Sequence, residues 1–270
     1  MIFFSKLLKL YINSSIHVAL AVASFACITY LDFELEFKNH LIAFIFFSTI
    51  VAYTFVKYIP LMKFDQLRIN TNLKIIFLIS LLSVFPIFYS LTYFQTNTLV
   101  FILVLGIFTS LYVLPFLPTA KNLRDVSGLK IFIIALVWTG ATVILPFLSS
   151  EVELSSLDME KTLYVVSRFV LVIALIIPFE IRDLKLDQIY IKTLPQVFGV
   201  KYTKVLGLAL VLISMALLSY VVENTHIYVY IHALVIILVL FSKRHNAFYY
   251  TALLVESVPI LWFLLKYFIS

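Results

Sequence analysis

The sequence predicts an all-α integral membrane protein: a bundle of nine transmembrane helices, with the N-terminus in the cytoplasm and the C-terminus outside. Three observations predict it. Hydrophobic residues make up 63% of the 270 and charged residues only 13%, about half the charged share of a soluble domain. The mean hydropathy is +1.09, and the apolar residues gather into runs near the ~20 that a spanning helix needs. The charges between the runs are sorted by sign, as the positive-inside rule requires. No polar block interrupts the chain, so residues 1–270 read as one transmembrane domain.

The first fifteen residues, MIFFSKLLKLYINSS, carry Lys6 and Lys9. Their apolar core is too short for a signal peptide, and an amphipathic interfacial lead-in is expected instead. The nine spans follow at 12–31, 40–60, 73–94, 97–117, 129–149, 162–184, 204–222, 226–242 and 247–268. The eighth is short, and a tight turn near Gln95 joins the third to the fourth. Of the 20 Lys and Arg, all but Lys38, Lys161, Lys266 and the intramembrane Arg168 lie at the N-terminus or around the connections after spans two, four, six and eight. The opposite side is acidic, with Asp32, Glu34, Glu36, Glu151, Glu153, Asp158, Glu160 and Glu223. That sorting fixes the orientation and places the chain in the cytoplasmic membrane among membrane lipids. The formal net charge of +6 then answers to lipid headgroups, and no nucleic-acid motif accompanies it. The single Cys27 forms no internal disulfide and no thiolate metal site.

One stretch breaks the apolar pattern. PFEIRDLKLDQIYIKTLP, residues 178–195, sets Glu180, Asp183 and Asp187 among Arg182, Lys185 and Lys192. On a helix the three acids fall within an arc of about 60°, with Arg182 and Lys185 nearly opposite. They are expected to form one negative stripe rather than an ion-paired face. Carboxylates repel at i,i+4 and are disfavoured at a helix C-terminus. A hard divalent cation such as Mg²⁺ removes both penalties, with Lys192 available to phosphate oxygens. Solvated acids at a helix exit are the other reading, and the spacing alone leaves both open. Pro178 frees a carbonyl one turn back and is expected to tilt the acids inward, or is tolerated near the helix end.

Arg168 and Glu256 lie inside spans, where charge is costly and rarely faces lipid; they are expected to partner each other as a structural tether, a protonated Glu256 or a polar pathway being the other reading. His17 and His232 have no second ligand at helical spacing and read as hydrogen-bonded packing residues.

These residues resemble a known family. EIRDLKLDQIYIKTLPQVFG looks like the second aspartate-rich motif of the UbiA-type intramembrane prenyltransferases, with Asp183 and Asp187 as its acid pair and Glu180 where the family often has Asp. Lys192, Thr193, Leu194, Pro195 and Gly199 continue the match, and 112–146, with Tyr112, Lys121 and Arg124, resembles the connection between the fourth and fifth helices. The resemblance implies an all-α bundle around a central cavity. It implies transfer of a prenyl group from a prenyl diphosphate to a lipophilic, often aromatic acceptor of the quinone-precursor kind. It also implies two Mg²⁺ ions bridging the diphosphate to two acidic motifs. Asp183 and Asp187 are the implied metal ligands, with Glu180 supporting. Lys192, Lys121 and Arg124 are the candidate diphosphate contacts, and Lys57 joins them as a cation that takes over part of a metal's charge-neutralising role.

The first acidic motif departs from the family. Its three positions are Thr54, Tyr58 and Met62, and Lys57 stands where negative charge is wanted. This departure keeps a second reading alive, a non-catalytic isoprenoid-binding or partner protein on the same fold. Arg168 and Glu256 raise a small transporter as a third, against which no inverted repeat is apparent.

Overall fold

The structure is a computed structural model. It describes residues 2–63, 71–114, 123, 126, 128–152, 154–184, 193–222, 226–245 and 248–269. Asp187, Lys192, Lys121 and Arg124 therefore lie outside the described residues.

All regular structure in the described residues is helical: α1 (Ile2–Asn13), α2 (Ile16–Asp32), α3 (Asn39–Lys63), α4 (Thr71–Leu91), α5 (Thr96–Val113), α6 (Leu129–Thr139), α7 (Leu145–Ser149), α8 (Met159–Asp183), α9 (Leu194–Val197), α10 (Gly199–Ser219), α11 (His226–Phe241) and α12 (Val258–Ile269), with π and 3₁₀ turns between some of them. Among the described residues, seven helical stretches are long and apolar enough to cross a membrane, or eight if α1 and α2 make one bent span. The nine-span expectation is short by one on this measure. The missing one is 226–242, where α11 has 16 residues, about 24 Å of helix against about 30 Å of hydrocarbon.

The first expected span is not straight. Ser15 has φ 65°, and α1 meets α2 at 54°. The lead-in is thus a helix folded away from the first apolar run. Two other spans carry wide turns that hydropathy does not report. Gly140–Ile144 is π-helical between α6 and α7, and Tyr250–Val255 is π-helical before α12.

α8 is the central post. Its most apolar window is 61% buried, against 22% in α4 and α5, which face outward. It packs on α10, α6 and α11. The helix starts at Asp158, whose carboxylate accepts from the Lys161 N–H at 2.9 Å. The Lys161 side chain also binds that carboxylate and holds its pKa below the usual range. Glu160 in the first turn and Arg182 in the last suit the helix dipole. α8 continues through Pro178 as one helix to Asp183.

The short α9 explains the Lys-Thr-Leu-Pro…Gly pattern. Pro195 sits in its first turn, where the missing N–H costs nothing, and the Gln196 side chain accepts from the Thr193 N–H at 3.0 Å. Gly199 then takes φ 75° as the chain turns into α10, a conformation that favours glycine.

Close approach elsewhere is set by Gly207. A Cβ there meets Ile177 Cδ1 at 2.9 Å and Val239 Cγ1 at 3.0 Å, so α10 lies tight against α8 and α11. Gly106 in α5 has nothing within 4 Å. Gly207→Val should therefore cost about 1–3 kcal/mol by overpacking. Gly106→Ala should be neutral or gain up to about 1 kcal/mol from helix propensity. Thermal unfolding of the two variants in detergent checks the contrast.

Candidate functional site

One end of the bundle gathers the α1–α2 elbow, the C-terminal parts of α3 and α8, the start of α6 and the π turn before α12. Six charged side chains from these elements lie there: Lys57, Lys130, Glu180, Arg182, Asp183 and Glu256.

Glu180 is 2% exposed and pairs with Lys130 across the α8–α6 contact at 2.7 Å. Arg182 forks onto its neighbour Asp183, with Nε to Oδ1 at 2.6 Å and Nη2 to Oδ2 at 3.0 Å. Its remaining nitrogen donates to the Thr251 hydroxyl in the π turn. The expected negative stripe is therefore not what the described acids make. Each of Glu180 and Asp183 is held by a cation. A planar guanidinium can curl back onto an adjacent carboxylate, and Lys130 comes from another helix, which spacing within α8 cannot report.

On α3, Thr54 is buried and its hydroxyl has no hydrogen-bond partner. Tyr58 reaches the Asn13 carbonyl at 3.4 Å. Lys57 donates to Ser15 Oγ at 3.0 Å and to the Ile12 carbonyl at 3.3 Å, tying α3 to the elbow. The Lys57 ammonium also lies 5.9 Å from the Tyr53 ring centre.

Glu256 does not partner Arg168. The charges that act on it are Lys57 and Arg182, and its carboxylate makes no hydrogen bond or ion pair with any described residue. Arg168 is anchored at the other end of the bundle. Nη1 donates to the Phe25 carbonyl at 3.0 Å, Nη2 to Tyr164 at 2.6 Å, and the guanidinium lies 4.2 Å from the Phe25 ring centre. The two side chains are on different helical elements and have different partners, so the expected tether is replaced by two separate arrangements. The histidines are packing residues, as expected. His17 bridges Tyr11 at 2.8 Å and the Leu253 carbonyl at 3.1 Å, and His232 bridges Ser214 at 3.2 Å and the Tyr228 carbonyl at 2.7 Å.

Beside the charged cluster is an apolar cavity of about 440 Å³ among α2, α3, α4, α5, α6 and α7, within the usual range for small-molecule sites. Its wall includes Phe44, Tyr53, Val56, Ile102, Ile133 and Trp138. The Trp138 Nε1–H donates to Tyr53 Oη at 3.0 Å, which satisfies both polar tips within an apolar wall. Tyr53 and Val56 lie one turn or less from Lys57, and Ile133 and Ile134 lie one turn from Lys130. The space therefore has a greasy body and a charged end. Sequence reading missed this pairing because scattered aromatics carry no sign of which ones line a cavity. The only signal was Lys57, a charge inside an apolar run.

Mg²⁺ needs several oxygen ligands in near-octahedral array. Among the described residues no three His, Cys, Asp or Glu side chains come together. α3 offers a hydroxyl, a phenol and an ammonium. The described residues by themselves do not supply the carboxylates of the two-ion arrangement that the resemblance implies; Asp65 and Asp187 lie outside them.

No protein-family model matches the chain, and no curated protein matches it. Its fold is similar to a UbiA homolog from Archaeoglobus fulgidus bound to GPP and Mg²⁺, with TM-score 0.63 and 15% identity over 96% of this chain and 98% of that one. The same homolog bound to DMAPP and Mg²⁺ gives 0.61 and 14%, with the same coverage. A structure of digeranylgeranylglyceryl phosphate synthase in membranes gives 0.59 and 14%, again over 96% and 98%. The chain is an all-helical, multi-pass membrane protein with the UbiA-type prenyltransferase fold.

Replacing Lys130 with Met removes the ion-pair partner of the buried Glu180, which should cost about 3–5 kcal/mol. The double variant Lys130→Met/Glu180→Leu should recover most of that loss. Denaturant unfolding of the three proteins in detergent measures both.

Proposed function

We propose that this chain is a divergent UbiA-type protein that binds a prenyl diphosphate and transfers its prenyl group to a lipophilic acceptor in the membrane. One observation carries the reading: an apolar cavity sits one helical turn from a cluster of fixed charges, the shape of a site for an amphiphile with a greasy tail and an ionic head. The UbiA homologs of similar fold were solved with GPP or DMAPP and Mg²⁺, which supports it.

In this reading nine helices span the cytoplasmic membrane with the N-terminus inside, and the charged end of the bundle faces the cytoplasm. Asp183 and Asp187 would hold one Mg²⁺, which would supply charge neutralisation at the diphosphate. Glu180 stands behind them, fixed through Lys130. Lys192, Lys121 and Arg124 meet the diphosphate from the connections. The cavity takes the prenyl chain and excludes water from the reacting carbon. The carbon–oxygen bond to the diphosphate breaks with its electron pair leaving on the diphosphate. A new bond then forms from the acceptor to the prenyl carbon, and the acceptor gives up a proton.

A specific observation favours a second reading, isoprenoid binding without transfer: Thr54 and Tyr58 stand where carboxylates are expected, and Glu180 and Asp183 are already neutralised by Lys130 and Arg182.

The deciding measurement is Mg²⁺-dependent release of pyrophosphate from farnesyl and longer prenyl diphosphates by the detergent-purified chain, with a mixed pool of quinone precursors present. Transfer predicts release that falls at least about 100-fold in Asp183→Asn/Asp187→Asn. Diphosphate binding with no release at any Mg²⁺ concentration would instead establish the second reading.

A further inference from the structure

Lys57 lies two residues from the end of the span Asn39–Ile59, where a lysine ordinarily reaches out to the interface, yet its ammonium is bonded to the α1–α2 elbow. It forms no ion pair with a described residue. Two of its three N–H bonds go to Ser15 Oγ and the Ile12 carbonyl, and both hold the ammonium in place without neutralising it. The acid that acts on it, Glu256, is out of ion-pair contact.

Glu256 is the complementary case. It sits at the junction of the Tyr250–Val255 π turn and α12, and π turns recur at functional sites. Its carboxylate has no hydrogen bond to a described residue. It acts electrostatically on both Lys57 and Arg182. Arg182 is spent on Asp183 and Thr251. Lys57 is thus a fixed positive charge with donor capacity left, at the position on α3 that brings no metal-binding carboxylate. Glu256 offsets its charge across a gap.

We propose that Lys57 takes the place of a divalent ion on the α3 side of the site, so that the diphosphate is bound partly by a built-in cation and its binding survives removal of Mg²⁺, with Glu256 as the counter-ion that the diphosphate displaces. The inference rests on the prenyl diphosphate reading above and assigns the site a cation requirement of its own. An ammonium donates hydrogen bonds to phosphate oxygens as a compact charge. Held at the elbow, it needs no reorganisation to do so. Glu256 repels an incoming diphosphate, so removing its charge should help binding, the opposite sign to the loss of Lys57.

The test is isothermal titration of the full chain in detergent with geranyl diphosphate, in excess EDTA and in Mg²⁺. Wild type should bind in EDTA with an affinity within about tenfold of that in Mg²⁺. Lys57→Met should weaken the EDTA affinity by at least about tenfold, the effect of losing one charge-assisted contact. Lys57→Arg should retain most of it. Ser15→Ala, which removes one elbow bond and leaves the charge, should weaken the EDTA affinity less than Lys57→Met does. Glu256→Gln should bind several-fold more tightly in EDTA, and this arm stands even if Lys57→Met does not fold. Binding in Mg²⁺ that disappears in EDTA overturns the inference and leaves the prenyl diphosphate reading intact. So does an unchanged EDTA affinity in Lys57→Met, or weaker binding in Glu256→Gln. No binding of geranyl diphosphate in either buffer overturns the underlying reading and the inference with it.

Discussion

The arrangement of this bundle depends on one constraint: a charge inside an apolar layer must find its partner within the protein. Water is not there to solvate it, and lipid tails cannot. α8 shows the consequence most directly. Most of its apolar window is buried, yet it carries Arg168 in its first half and Glu180, Arg182 and Asp183 at its C-terminal end. Each of these draws in a neighbour. Arg168 fixes α2 through the Phe25 carbonyl, Glu180 fixes α6 through Lys130, and Arg182 fixes the π turn through Thr251. The central helix is thus tied to its surroundings by polar contacts at both ends and by apolar packing between.

The two ends differ in how completely their polar groups are satisfied. At the Asp32 end, the carboxylate accepts from Tyr164, Tyr228 and Lys266. Lys266 also donates to Tyr228 at 2.6 Å, and Tyr164 receives Arg168. The Asp32 side chain is fully buried, and Tyr164, Tyr228 and Lys266 are all bonded to it, while the buried Trp262 Nε1–H beside them has no partner among the described residues. Such a network fixes helices. At the Lys57 end, the Glu256 side chain has no hydrogen bond among the described residues, and Lys57 has donor capacity left there. Unspent polar groups beside an apolar cavity are the physical difference between a clamp and a site.

How much of this was legible in the sequence follows from the range of the forces involved. Hydropathy is local and summed over a span, so eight of the expected spans emerged as helices of the right length or bent pairs. α11 fell short because a run of 16 residues is ambiguous. The π turns at Gly140–Ile144 and Tyr250–Val255 were not legible, since adding a residue to one turn leaves the apolar pattern almost unchanged. The Thr-Leu-Pro…Gly signature was legible and has a local cause in the first turn of α9 and the positive φ of Gly199. The acidic stripe was legible as a cluster of residues but not as a charge state, because Lys130 lies about fifty residues earlier in the chain than Glu180. For the same reason the Arg168–Glu256 pairing failed: intramembrane charge demands a partner, and nothing in one helix says which helix supplies it.

The departure on α3 then takes on a definite physical meaning. A site that relies on two divalent ions must keep its protein charges negative, so that the metals are held when the diphosphate is absent. A lysine in the middle of such a site would expel the ion next to it. Here Thr54 and Tyr58 carry no charge, Lys57 carries the wrong one for a metal, and Glu180 and Asp183 have cations of their own. Taken singly, each change weakens the case for a two-metal site. Taken together, they are mutually consistent: Glu180 is a counter-ion to Lys130, and in the proposed site Lys57 covers the α3 side while Asp183 stays with the one ion proposed for the α8 side. The proposed head-group site is thus one in which part of the positive charge belongs to the protein.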